Sequence, residues 1–135
     1  MASVFTKIIN GQLPGHFVYS DDLVVAFLSI APLSPGHALV VPRQEIDQWT
    51  DAEPSLLTHC VVIAQRIGVA AKAAFGAPRA GVVIAGFEVP HLHVHVFPVW
   101  RLADFDFGRA KPASDQELAA AAARLRAALP AAQGG

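Results

Sequence analysis

Residues 87–98 read FEVPHLHVHVFP, and within them His91, His93 and His95 alternate with Leu92, Val94 and Val96. Alternation with period two is the mark of a β-strand whose two faces differ. At about 3.3 Å rise per residue, imidazoles two positions apart sit about 6–7 Å from each other on one side. The opposite side is apolar and suits a core. Three hydrogen-bonding, nucleophilic rings on one strand face mark that face as a candidate active site.

Working outward, Gly86 and Pro90 make the entry to this strand a shaped loop. Residues 80–85 form the strand before it. Upstream, Thr50-Asp51-Ala52-Glu53 reads as a capping box with Pro54 near the first turn. Leu57, Val61, Ala64, Gly68 and Ala71, flanked by Cys60, Ile67 and Phe75, keep helical spacing, which predicts a helix over about 52–74 closed by Gly76. Strands are expected at 17–20, 24–28 and 38–41, the first two a hairpin through Asp21-Asp22. Ser3 can cap a short helix over 4–9 that stops at Asn10-Gly11. Downstream, 101–112 is polar and irregular. Ser114-Asp115-Gln116-Glu117 then opens an Ala-rich helix to about Leu129, with Leu118, Leu125 and Leu129 as a thin stripe for the surface or a partner. Pro130 and the last residues should fray. The sum is an α+β domain: a five-stranded, mostly antiparallel sheet with one long helix across it.

A chain of 135 residues is expected to be one domain. Apolar residues reach 53% and charged ones only 16%, enough for a well-filled core with apolar surface left for a partner subunit. A formal charge of −1 argues against wrapping nucleic acid, though one small anionic ligand needs only a local site. The lone Cys60 excludes an internal disulfide and falls within the helical apolar pattern, as a buried hydrophobe would. The start MASVFTK lacks a basic segment followed by an apolar run, and no membrane span is expected, so the chain reads as cytoplasmic.

Three readings fit the histidines. They could be structural, although strict alternation after a Gly-Phe-Glu-Val-Pro turn is hard to credit as accident. They could bind zinc, since two histidines at i, i+2 can share one ion, with His37 and Glu88 as further ligands. Or they could carry covalent catalysis on phosphate. A neutral imidazole attacks phosphorus well once a hydrogen bond to its other nitrogen fixes its tautomer. Rings two residues away can then donate to the phosphate oxygens where charge builds up.

HLHVHVF resembles the His-φ-His-φ-His-φ-φ signature of the histidine-triad superfamily. FTKIINGQLPGHFVYSDD and VVAFLSIAPLSPGHALVVP look like that family's opening helix and first strands. The resemblance covers about residues 3–101, leaving 102–135 as a C-terminal extension, and is nearest to the nucleoside phosphoramidase (Hint-like) branch of bacterial type. It implies homodimers whose sheets join, and nucleotidyl transfer or hydrolysis of purine nucleotide derivatives with no metal or other cofactor. By resemblance, His93 is the nucleophile that takes the nucleotidyl group, His95 contacts phosphate oxygen, and His91 is a neighbour in the hydrogen-bonding network. His37 matches a fourth histidine beneath the triad. Val4, Phe5, Ile8, Phe27 and Ile30 correspond to the apolar walls around the base.

The sequence also departs from the family pattern. Ser29 stands where the family usually has an acidic residue on the ribose hydroxyls, which implies a weaker grip on the sugar. Phe87 replaces a common glutamine. The loop after Val83-Ile84 is shortened, and Val99 replaces a frequent arginine, with Arg101 two residues on. Glu88 would offer its backbone N–H to the phosphate, its carboxylate facing solvent or serving as a proton donor. The alternative function is a nucleotide-binding or interaction module with little turnover.

Overall fold

A computed structural model describes residues 2–130. In chain order the elements are α1 (Val4–Ile9), β1 (Phe17–Ser20), β2 (Val24–Leu28), β3 (Ala38–Pro42), α2 (Pro54–Phe75), β4 (Arg79–Val83), β5 (Val94–Val99) and α3 (Asp115–Ala128). Single 3-10 turns lie at Trp49–Asp51, Leu102–Asp104 and Phe107–Arg109. The sheet runs β1-β2-β3-β5-β4, every neighbouring pair antiparallel. The α+β architecture expected from the sequence is therefore present.

The pleat sorts the strands into two faces. Val24, Ala26, Leu28, Ala38, Val40, Val94 and Val96 point to one side, where they pack against Leu56, Cys60, Ile63, Ala64 and Ile67 of α2. Val25, Phe27, Leu39 and Val41 point to the other side and meet Phe5 of α1. Register lines up Phe17, Phe27, Leu39 and His95 on successive strands. His95 thus continues an apolar row, and it is the polar end of a face that is otherwise filled with hydrocarbon.

Several boundaries differ from the sequence expectation. Regular pairing in β5 begins only at Val94, so of the three histidines His95 alone lies within the strand, while His91 and His93 lie on its approach. The α2 N-cap is Glu53, which makes no side-chain cap bond, because Pro54 occupies the first helical position; Thr50 and Asp51 form a 3-10 turn instead of a capping box. Val61 is 45% exposed and so falls off the buried stripe, whose members include Leu56, Cys60, Ile63 and Ile67. In length and composition α2 would pass for a membrane span, but its apolar stripe is spent on the sheet. Burial pushes the Cys60 thiol up to about 11, fitting the inert reading.

Downstream of β5 the chain is irregular but not loose. Phe105 packs on Phe97 and occupies the space beside Gly81, where any Cβ would collide with its ring. The Ser114–Glu117 capping box forms as expected. Leu118, Ala122 and Leu125 join the main core instead of waiting for a partner. The Arg124 guanidinium donates to the Ala74 carbonyl and lies over the Phe75 ring, tying α3 to the end of α2. Residues 131–135, where fraying was expected, lie outside the described residues.

Candidate active site

A cleft of about 580 Å³ opens on the α1 side of the sheet, a size within the range of small-molecule sites. Phe5, Phe27 and Leu39 form its apolar floor, and His37, His93 and His95 line it. Val4, Ile8, Ser29, Ile30 and Glu88 also border it, so every wall residue expected from the sequence is present. His91 is not: it is fully buried behind the cleft.

Each ring is held in one tautomer by its partners. The His91 carbonyl lies 2.7 Å from His93 Nδ1. A carbonyl only accepts, so Nδ1 carries a proton, and in the neutral ring the lone pair is therefore on Nε2. The Leu33 amide donates to His37 Nδ1 at 3.0 Å, which places the His37 proton on Nε2. That N–H donates to His95 Nδ1 at 2.9 Å, leaving His95 with an Nε2–H. Backbone geometry at Leu33 is thereby relayed through two imidazoles into a donor on the cleft ring. The His93 and His95 rings sit 5.0 Å apart between centroids, closer than the strand spacing alone suggested.

Both rings of the relay are neutral near pH 7. Burial first, and the neighbouring His95 second, push His37 down to about 3. Burial, with His93 beside it, takes His95 down to about 4. His91 is also lowered, chiefly by burial. Its Nε2–H donates to the Pro42 carbonyl at 2.7 Å, and its Nδ1 accepts from the Ser3 hydroxyl at 2.6 Å. Ser3 in turn accepts from the Thr6 amide as the α1 cap, so one side chain starts a helix and braces a histidine 88 residues away.

Ser3 and Phe107 also serve the site, and neither stands out as a site residue in the sequence. Ser3 was visible only as a cap, since nothing local reports a contact at that separation. Phe107 stacks edge-on at 4.8 Å from the His95 ring and 6.3 Å from His37, roofing the relay. The alternating Phe105-Asp106-Phe107 pattern was the available signal within a stretch read as polar. Among the described residues, the ring nitrogens of His37, His91, His93 and His95 are all committed except two, His93 Nε2 and His95 Nε2. Among those residues no cluster of three or more His, Cys, Asp or Glu is placed to hold a metal ion.

Residues 10–101 match the HIT domain family. The chain belongs to that family. The HIT-like protein from Bartonella henselae described as involved in cell-cycle regulation is 32% identical, with a TM-score of 0.82 over 94% of this chain and 96% of that one. A Zn-bound histidine triad family protein from Mycobacterium smegmatis is 29% identical, with a TM-score of 0.82 over 95% and 93% of the two chains. The asymmetrical bis(5'-nucleosyl)-tetraphosphatase of Schizosaccharomyces pombe is 34% identical across 64% of this chain and 50% of its own length. The HIT family thus includes a nucleotide hydrolase among this chain's relatives.

Proposed function

We propose that this HIT protein is a metal-independent hydrolase or transferase acting at the α-phosphate of purine nucleotide derivatives, phosphoramidates or phosphoanhydrides. The observation that carries the reading is the His93 tautomer, with Nδ1–H on a carbonyl and the Nε2 lone pair free at the cleft. Nε2 attacks the α-phosphorus, forming a P–N bond as the bond to the leaving group breaks and that group departs with the electron pair. His95 Nε2–H donates to a non-bridging oxygen as its charge grows. Water then attacks the same phosphorus, loses a proton, and the P–N pair returns to His93.

The direct test incubates the protein with a substrate radiolabelled at the α-phosphate and quenches it early. Label should appear on the wild type and be absent from His93→Ala. Labelling that survives the substitution would sink the proposal. A second reading, a nucleotide-binding module with little turnover, rests on Phe87, which is 97% exposed and makes no wall of the cleft, and on Ser29 in place of an acid. Micromolar AMP binding by calorimetry beside undetectable hydrolysis would favour it. The proposal includes a homodimer, supported by exposed Val61, Val62, Val69 and Val82 clustered along α2 and the edge strand β4. Light scattering at monomer mass would contradict that part.

A further inference from the structure

The cleft ends, away from the histidines, in a pair that the nucleophile chemistry leaves unused. His16 Nε2–H donates to Asp115 Oδ1 at 2.8 Å, and both residues border the cleft. The pair is fixed from two directions. The His16 carbonyl accepts from the Leu28 amide at 3.1 Å, and the Ala113 amide donates to the Ile30 carbonyl at 3.0 Å. These bonds bring the first turn of α3 up to Ser29 and Ile30, although 86 residues separate Ser29 from Asp115. The Asp115 side chain is 93% exposed, and its Oδ2 has no partner among the described residues.

We infer that Asp115, oriented by His16, is the acceptor for the sugar hydroxyls of the bound nucleotide. The inference rests on the nucleotide reading above. A vicinal diol brings two donors that need acceptors on the protein. The Ser29 hydroxyl already accepts from the Ala31 amide at 3.3 Å, so its own proton makes it chiefly a donor to a ligand. Among the described residues only two carboxylates border the cleft, Glu88 and Asp115. Glu88 stands on the loop that enters the histidine run, where a phosphate would repel it. His95 lies on β5 and Leu28 on β2, two strands away in the sheet order. At about 4.8 Å per strand, that is on the order of 10 Å. Asp115 can therefore face a sugar without crowding the phosphate. Its Oδ1 is already held by His16, so less side-chain freedom is lost when Oδ2 binds.

Calorimetry with AMP and 2′,3′-dideoxy-AMP on the wild type, Asp115→Ala and His16→Ala separates this role from a structural one. The wild type should prefer AMP by about 10-fold, the range expected of a charge-assisted hydrogen bond. In Asp115→Ala that preference should fall to near unity, with dideoxy-AMP affinity almost unchanged. His16→Ala should give a partial loss. A merely helix-starting Asp115 would move the melting temperature without moving the ratio. A preference retained in Asp115→Ala, or absent from the wild type, overturns the inference while leaving His93 chemistry intact. A wild type that binds no AMP overturns both.

Discussion

His91 and His93 are two residues apart in one repetitive motif and lead opposite lives. His91 has both nitrogens committed, to Pro42 and Ser3, and no access to the cleft. His93 has one nitrogen committed and the other facing the cleft. The same side chain is thus a brace in one position and a reagent in the next, and the difference is only the number of partners the fold supplies. The brace also serves the reagent directly, because the His91 carbonyl is what fixes the His93 tautomer.

Paired substitutions break this comparison most sharply. His93→Ala should lower turnover at least about 10³-fold, as loss of a covalent nucleophile does, with a modest cost in stability. His91→Ala should lose about 2–4 kcal/mol in urea unfolding, because it leaves the Pro42 carbonyl without its donor and the Ser3 hydroxyl without its buried acceptor, beside a cavity. Its residual turnover, measured where it stays folded, should exceed that of His93→Ala by 10-fold or more. Equal turnover losses in the two variants would erase the distinction.

Alternation at His91, His93 and His95 pointed to one chemically distinct face, and the apolar residues named for the cleft do border it. The row of Phe17, Phe27, Leu39 and His95 was not legible, because register between strands is a property of pairing and not of local pattern. The end of regular pairing at Val94 escaped for the same reason. On α2 the apolar residues run nearly all round the helix, so periodicity could not choose between a stripe through Val61 and one through Leu56 and Ile63. Phe107 and Ser3 reached the site through tertiary contact alone.

The relay adds a pH signature to the comparison. His37 and His95 have folded values of about 3 and about 4, below the 6.5 of an unfolded histidine. Between those limits the unfolded chain binds more protons, so stability is complete above about pH 6.5 and falls as pH drops toward 4. Each proton contributes about 1.4 kcal/mol per pH unit. Urea unfolding at pH 7, 6 and 5 should therefore show a steady decline, and His37→Gln should flatten it by about one proton. A pH-independent midpoint across that range would mean the rings are charged or exposed in the folded chain.

The smallest effect belongs to Ser3, and it is the most discriminating. As a cap alone, Ser3→Ala should cost about 1 kcal/mol and leave the site untouched. Ser3 also donates to His91 Nδ1, so its loss frees that buried nitrogen and loosens the carbonyl that orients His93. Ser3→Ala should then cost about 2 kcal/mol in all and also slow labelling of His93 by a few-fold. Ser3→Asp keeps the cap acceptor but has no hydroxyl proton, so it should restore the α1 start and not the labelling rate. If labelling in Ser3→Ala matches the wild type, the brace and the reagent are independent, and the link from α1 through His91 to His93 is broken.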